Sequence, residues 1–276
     1  MTVKLIAIDL DGTLLDSHKE LPKANIEAIK KAVAAGIKVV LCTGRPKSGV
    51  LPYFEQLGLT GQEYIIMNNG CSIYQTSDWS LLHYERLLED DISYLVQLLN
   101  EYPQISLTLT GDKSYYVLAD SVPELVAYDA SLVFDEARAV DMAQLKAEQE
   151  VIFQAMYMGE AKTLDAFQDH MAKELKRSFS VVRSQEYIYE ALPKGATKAS
   201  ALAILARDLQ IEASEIMAIG DALNDLEMLT FAGVGVAMEN ASEEIKKASN
   251  FVTKTNDQAG VAYAICHYAL GGRDEV

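Results

Sequence analysis

The sequence predicts an α/β protein in which a doubly wound, Rossmann-like parallel sheet carries an inserted α+β domain. Two observations predict the parallel core. Continuous apolar runs are typical of strands buried on both faces, and at both ends of the chain these runs alternate with amphipathic helical segments. A third observation predicts the insert, because strand-like segments in the middle of the chain come in adjacent pairs.

The first predicted strand ends in two carboxylates. The apolar run Leu5–Ile8 leads into Asp9, and Asp11 and Gly12 follow. Carboxylates at the C-terminal end of such a strand lie where open α/β sheets bind ligands. Because residues i and i+2 share a face of an extended chain, Asp9 and Asp11 are expected to point into one crevice. The alternative is that both carboxylates only cap the following loop.

The next elements continue the α/β alternation. Pro22 opens a helix that Gly36 ends. A helix-like stretch that is interrupted by Pro52 follows the second strand. Strands are predicted at 37–42, ending in Thr43-Gly44-Arg45, and at 64–67, ending in Asn68-Asn69-Gly70, with a hairpin at 72–75 and 81–84 that leaves the sheet.

Paired strand-like segments in the middle of the chain predict an inserted α+β domain at 86–190. Residues 1–85 and 191–276 are predicted to form one core domain around it. Helices of the insert are predicted at about 90–101, 123–132 and 160–177, and its strands at 105–110, 114–118, 151–158, 178–182 and 187–192. After the insert, the prediction is a helix at 197–208, strands at 215–219, 233–237 and 251–253, and a C-terminal helix.

Composition narrows the class of partner. The chain has 276 residues and a formal net charge of -16, which argues against nucleic acid or an anionic membrane as a partner. An anionic substrate would therefore need local positive groups. Three widely spaced cysteines, with no metal-ligand spacing, favour a reducing compartment. With neither a signal peptide nor an apolar run of spanning length, the expectation is a cytoplasmic protein.

Ends of the predicted core strands carry groups that together suit phosphoryl chemistry. Asp9 is a candidate nucleophile and metal ligand, and Asp11 is its candidate acid–base partner. Thr43 and Gly44 can bind phosphate oxygens through a hydroxyl and a backbone N–H. Asp221 can complete a site for a hard cation; the alternative is that it only caps the next helix.

The same residues carry a resemblance to a known family. The motif Asp9-Leu10-Asp11-Gly12-Thr13 resembles the first motif of the haloacid dehalogenase-like (HAD) hydrolases, Thr43-Gly44-Arg45 their second, and Gly220–Asp225 their GDxxND motif. The position of the insert is similar to that in the Cof-type subfamily, and the chain looks closest to the bacterial sugar-phosphate phosphatases of that group.

The resemblance implies a role for each matching residue. Asp9 would form an aspartyl-phosphate, and Mg²⁺ would be held by Asp9, the backbone carbonyl of Asp11 and Asp221. The phosphate-binding residues would be Leu10, Thr43, Gly44, Lys198 and Asn224, while Asp225 would orient a metal-bound water or the lysine. Lys194 is the alternative to Lys198. Arg45 is either a further anion contact or a solvated surface group.

The function that the resemblance implies is that of a Mg²⁺-dependent phosphatase for small phosphate monoesters such as sugar phosphates. The inserted domain would be a cap that selects the substrate. The expected partner is a small phosphorylated metabolite. One alternative is a phosphotransferase or phosphomutase that uses the same aspartyl-phosphate. Another is a phospho-accepting binding module without turnover.

Overall fold

The computed structural model describes residues 2–59 and 61–272. Helices and strands alternate over the N-terminal and C-terminal parts of this range. The strands are β1 (Leu5–Asp9), β2 (Lys38–Cys42), β3 (Tyr64–Met67), β4 (Ser72–Gln75), β5 (Ser80–Tyr84), β6 (Ser106–Gly111), β7 (Tyr115–Leu118), β8 (Ala137–Val140), β9 (Ile152–Met158), β10 (Phe179–Gln185), β11 (Ile188–Pro193), β12 (Ile216–Gly220), β13 (Val234–Ala237) and β14 (Phe251–Val252).

The helices range from one or two turns to five. They are α1 (Lys23–Ala34), α2 (Lys47–Leu57), α3 (Glu89–Gln97), α4 (Glu124–Leu132), α5 (Met142–Glu148), α6 (Ala161–Ser178), α7 (Lys198–Asp208), α8 (Leu226–Phe231), α9 (Glu243–Ala248) and α10 (Gly260–Ala264).

An eight-stranded sheet in the order β14-β13-β12-β1-β2-β3-β4-β5 forms the core. The pairs from β14 to β3 are parallel. Strands β1, β3, β12 and β13 are buried along their whole length, as expected for apolar strands covered on both faces. The prediction of a mixed α/β fold with a parallel core is confirmed.

The predicted hairpin at 72–84 does not leave the sheet, so this expectation was wrong. Strand β4 pairs antiparallel with β3, with Ile73 opposite Ile66, and β5 is the next strand in the same sheet. Ser72, Ile73 and Tyr74 are buried. The apolar side chains of β4 therefore extend the hydrophobic core, and the reversal of chain direction does not end the sheet.

Pro52 does not interrupt its helix either. Helix α2 runs from Lys47 to Leu57 with Pro52 inside it. Because a proline has no backbone N–H, the helix lacks one backbone hydrogen bond at this position. The side-chain amide of Gln56 donates to the carbonyl oxygen of Pro52 at 3.0 Å.

The insert contains a six-stranded sheet in the order β10-β11-β9-β6-β7-β8. Its pairs are antiparallel, as predicted, except for the parallel pair of β7 and β8. The sequence analysis assigned neither β8 nor α5. The N-terminus of α5 has a reciprocal capping box, in which Asp141 and Gln144 bond each other's backbone N–H, and this D-x-x-Q pattern was a usable signal.

The chain divides into two compact units. The first comprises residues up to 43, 52–83 and from 197 onwards, and the second comprises 44–51 and 84–196. The predicted boundaries, 1–85 with 191–276 and 86–190, stay a prediction about which segments fold as independent domains.

Among the described residues, no helix is both long enough and apolar enough to span a membrane.

Candidate active site

The site is built where adjacent parallel strands of the first unit end. Strand β1 pairs with β2 on one side and with β12 on the other, and Asp9 lies opposite Cys42. Thr43 and Asp221 are the first residues after β2 and β12. Because neighbouring parallel strands end at the same edge of a sheet, their terminal residues converge there.

Lys198 reaches this edge from the first turn of α7. Ala201, Leu202 and Leu205 of this helix are buried in the core of the first unit. Residues three and four apart share a helix face, so Lys198 points inward with them and is 1% exposed. Its ammonium nitrogen donates to Oδ1 of Asp9 at 2.6 Å and to Oδ1 of Asp225 at 2.7 Å.

Asp225 is a buried anchor for the loop after β12. Its Oδ2 accepts the backbone N–H groups of Asp221 at 3.0 Å and of Ala222 at 3.1 Å. Its Oδ1 is the oxygen that Lys198 contacts. Asp225 therefore holds both the lysine and the backbone of Asp221 in place.

Asp221 completes an acidic cluster. Carboxylate oxygens of Asp9, Asp221 and Asp225 lie within 4.8 Å of one another. The hydroxyl of Thr13 donates to Oδ1 of Asp221 at 2.8 Å. Oxygen ligands of this kind suit hard divalent cations such as Mg²⁺.

The electrostatics of the cluster favour a further positive charge. Burial raises the pKa of Asp9 well above its ordinary value, the charge of Asp225 raises it further, and Lys198 partly opposes both. Burial, followed by the charge of Asp225, raises the pKa of Asp221 to about 6. Burial alone would lower the pKa of Lys198, but Asp225 and Asp9 raise it above its ordinary value. One ammonium thus faces three carboxylates.

Asp11 lies in the turn Leu10–Leu14, directly after β1. The backbone turns at Gly12, whose φ of +78° is in the left-handed region. A Cβ atom at Gly12 would lie 2.5 Å from Oδ2 of Asp221, so no larger residue fits without displacing that carboxylate. The carboxylate of Asp11 accepts a hydrogen bond from the ammonium of Lys19 at 2.8 Å.

The sequence analysis missed one polar group of this region. The amide nitrogen of Asn224 donates to Oδ1 of Asn69 at 2.9 Å, and the N–H of Asn69 donates to the carbonyl oxygen of Thr43 at 3.0 Å. Asn69 follows β3, the next parallel strand along the sheet. The strand-end argument that selected Thr43 would have selected Asn69 as well.

A close backbone contact fixes the start of α7. Gly70 has a φ of +97°, and a Cβ atom there would lie 2.1 Å from the carbonyl oxygen of Thr197. Thr197 caps α7 by accepting the N–H of Ser200 at 3.1 Å. The residue that follows this cap is Lys198.

The remaining predicted residues have other surroundings. Leu10 is fully buried. Gly44 and Arg45 belong to the second unit, where Arg45 donates to the carbonyl oxygens of Gly49 and Leu132, both at 3.3 Å. Lys194, the alternative cation, donates to the carbonyl oxygen of Lys176.

The second unit contains a buried carboxylate of its own. Asp129 is 8% exposed, and its two oxygens accept the phenol hydroxyls of Tyr115 at 2.8 Å and of Tyr187 at 3.0 Å. Burial raises the pKa of Asp129, and these two hydrogen bonds oppose the increase. No sequence pattern had indicated this cluster.

Comparisons with known proteins are in line with the strand-end motifs. A family model described as haloacid dehalogenase-like hydrolase matches residues 6–265. The putative phosphatase YxeH of Bacillus subtilis is 35% identical, over 97% of this chain and 98% of its own. The 5-amino-6-(5-phospho-D-ribitylamino)uracil phosphatase YwtE of the same species is also 35% identical, over 95% of this chain and 97% of its own.

Solved structures share the fold. A haloacid dehalogenase-like hydrolase from Bacteroides thetaiotaomicron has a TM-score of 0.86 and 31% identity, over 96% of this chain and 99% of that one. The HAD subclass IIB sugar phosphatase BT4131 has a TM-score of 0.80 and 22% identity, over 97% of this chain and 100% of that one, which is a likeness of fold alone.

Proposed function

We propose that this chain, which belongs to the haloacid dehalogenase-like hydrolase family and is a phosphatase, hydrolyses small phosphate monoesters through an aspartyl-phosphate on Asp9. The observation that supports this most is the convergence of Asp9, Lys198 and Asp221 at one edge of the parallel sheet. A nucleophilic carboxylate, a fixed cation and a second carboxylate are the groups that phosphoryl transfer to an aspartate requires.

The acidic cluster fits a divalent cation. Three carboxylates share one ammonium, and burial together with the charge of Asp225 raises the pKa of Asp221. In the proposed site, Asp9, the backbone carbonyl of Asp11 and Asp221 would hold Mg²⁺. Asp225 has both oxygens engaged by Lys198 and by backbone N–H groups, so it supports the site without being a ligand. When bound, Mg²⁺ would neutralise negative charge on the phosphate ester.

The residues of the chain would then act in order. Asp9 attacks phosphorus, the ester P–O bond breaks, and Asp11 gives its proton to the leaving oxygen. Lys198 stabilises the Asp9 carboxylate and the transferring phosphoryl group. Asp11 then takes a proton from water as the water oxygen bonds to phosphorus and Asp9 is released. Thr43, Asn224 and the backbone N–H groups of Leu10 and Gly44 are the proposed phosphate contacts.

We propose phosphorylated sugars and sugar alcohols as the substrate class, with the inserted unit acting as the substrate-selecting cap. The support is the relative named for a 5-phospho-D-ribitylamino compound, which is similar over 95% of this chain. The net charge of -16 also favours small substrates over polyanions.

The test is phosphate release from p-nitrophenyl phosphate and from a panel of phosphorylated metabolites, with Mg²⁺ and after its removal by EDTA. Asp9→Asn is expected to reduce kcat at least about 10³-fold, because it removes the nucleophile. Asp129→Asn is the matched control, since it changes a buried carboxylate outside the cluster, and it is expected to retain activity.

Thermal unfolding of both variants establishes that they are folded. Asp9→Asn activity above a tenth of wild type would remove Asp9 from the nucleophile role. Activity that is insensitive to EDTA would contradict the proposed dependence of the reaction on Mg²⁺. Added acceptor sugars distinguish hydrolysis from phosphoryl transfer, because transfer would yield a new phosphate ester in place of free phosphate.

A further inference from the structure

Lys19 forms an ion pair with Asp11 that the reaction scheme leaves unused. Its ammonium nitrogen lies 2.8 Å from Oδ1 of Asp11, and the two side chains are 54% and 33% exposed. Exposed ion pairs contribute little to the free energy of unfolding, because water screens the charges and a long side chain loses rotamer freedom. Stability alone does not account for this contact.

The backbone holds Lys19 in a conformation that is unfavourable for lysine. Its φ of +61° lies in the left-handed region. The turn around it is closed by Asp16, whose carboxylate accepts the N–H groups of His18 and Glu20, both at 2.9 Å. The N–H of Lys19 donates to the carbonyl oxygen of Asp16 at 3.1 Å. Backbone strain that is imposed by surrounding contacts in this way is concentrated at functional sites.

The backbone beside Asp11 is held as well. The carbonyl oxygen of Gly12 accepts the side-chain amide of Asn240 at 2.8 Å, and Leu14 is held by the amide of Asn25 at 3.0 Å. Both ends of the ion pair therefore start from fixed backbone. The contact between the Lys19 ammonium and the Asp11 carboxylate also fixes the orientation of the Asp11 carboxyl group.

We propose that Lys19 is a positioning residue for Asp11, whose carboxyl group it holds in the direction from which Asp11 exchanges protons with the leaving group and with water. The inference rests on the proposed function, since it requires Asp11 to be the acid–base group.

The proton balance leaves Lys19 unchanged. In the first half-reaction the proton moves from Asp11 to the ester oxygen, which keeps the electron pair of the broken P–O bond. In the second, a proton of the attacking water moves to Asp11 as the bond between Asp9 and phosphorus breaks. Lys19 contributes orientation and gives up no proton in either step.

The experiment compares Lys19→Met, Lys19→Arg and Lys23→Met on two probes, p-nitrophenyl phosphate and phenyl phosphate. Methionine keeps an unbranched side chain and the backbone conformation while removing the charge. Lys23 is the matched control, because it is also a lysine paired with a carboxylate. Its side chain is 90% exposed, and its ammonium nitrogen lies 3.9 Å from Oε1 of Glu27. The quantity to compare is kcat/KM, which includes departure of the leaving group.

Phenolate needs a proton to leave far more than nitrophenolate does. Lys19→Met is therefore expected to lower kcat/KM for phenyl phosphate about tenfold, a part of the ~10²–10⁴ that a positioned proton donor contributes. For p-nitrophenyl phosphate the loss should be below about threefold. Lys19→Arg should restore most of the difference, and Lys23→Met should match wild type on both probes.

A second comparison tests whether the effect passes through Asp11. In an Asp11→Asn background, Lys19→Met should cost less than about twofold further, because coupled residues are not additive. Inhibition by inorganic phosphate should be unchanged by Lys19→Met, since Lys19 is not proposed to bind the phosphoryl group.

Three results would overturn the inference. They are equal losses on both probes, independent losses in the Asp11→Asn background, and weaker phosphate inhibition that accounts for the lost activity. Failure of the proposed function looks different, because the wild-type protein would then release no phosphate from either probe with Mg²⁺ present, and the inference would fall with it. An active wild type, with Lys19→Met no different from Lys23→Met, would remove the inference alone.

Discussion

Each unit of the molecule buries a carboxylate, and the two are satisfied in opposite ways. In the first unit, Asp9 and Asp225 share the ammonium of Lys198, and Asp221 lies beside them. In the second, the two oxygens of Asp129 accept one phenol hydroxyl each. The first cluster has a surplus of negative charge. In the second, neutral donors occupy both oxygens of the single carboxylate, and the charge of Arg45 also favours its ionised form.

This difference separates binding from packing. Burying a charge costs free energy unless it is paired and hydrogen-bonded, and a cluster selected for stability alone would not place three carboxylates around one lysine. Local departures of this kind are expected at functional sites. We therefore interpret Asp9 and Asp221, with Asp225 as their support, as a cation site, and the cluster of Asp129 as part of the packed interior of the inserted unit.

Among the variants considered, Lys198→Met is expected to have the largest effect on stability and activity. It leaves Asp9 and Asp225 buried without their cation, and loss of one partner from a buried ion pair costs about 3–5 kcal/mol. The free energy of unfolding at pH 7, measured by urea denaturation, should fall by that amount, and phosphatase activity should be lost.

Lys194→Met is the matched control, since Lys194 donates to a backbone carbonyl and lies outside the acidic cluster. It should change the free energy of unfolding by less than about 1 kcal/mol. A similar loss in both variants would contradict the assignment of Lys198 as the buried counter-ion.

The pH dependence of the free energy of unfolding tests for the surplus negative charge of the first cluster. The pKa of Asp221 is about 6 in the folded protein and 3.8 for the ordinary group, so the folded state binds more protons between these values. Without Mg²⁺, the free energy of unfolding should therefore fall as pH rises from about 4 to about 6, by about 2–3 kcal/mol from this group.

The measurement is urea denaturation at several pH values in EDTA, comparing wild type with Asp221→Asn. The variant should lose this part of the dependence, because it has no proton to release at that position. A pH dependence that is the same in both proteins would show that Asp221 does not carry the surplus charge.

Tyr115→Phe should have the smallest effect. It removes one of the two hydrogen bonds to Asp129, which is expected to lower the free energy of unfolding by about 1–2 kcal/mol. The value of kcat should stay within about twofold of wild type. A large loss of kcat without a loss of stability would show that the Asp129 cluster has a functional role and is not only part of the packed interior.

The sequence was sufficient where strand ends determine position. Asp9 is the last residue of an apolar strand, Thr43 and Asp221 each follow one, and parallel pairing of β1, β2 and β12 places them together. Lys198 was expected from the family resemblance, and in the structure helical spacing puts it on the buried face of α7. In each case a local pattern determines the direction of the side chain.

Other contacts depend on residues far apart in the chain and leave no local pattern. Asn240 holds the carbonyl oxygen of Gly12, and Asn224 bonds Asn69. The partners of Asp129 come from different strands or turns of the inserted unit. Only the folded chain brings such pairs together, so composition and periodicity could not have indicated them.

Gly70 has a consequence for any attempt to diversify this enzyme. Where two side chains collide, one of them can rotate away, but at this position a methyl group would meet the main chain of Thr197. Relief would require a shift of the backbone at position 70 or at the start of α7, and in the second case the ammonium of Lys198 would move too. A hydrogen at position 70, in place of any carbon, is thus a structural requirement for the cation beside Asp9, even though glycine has no functional group of its own.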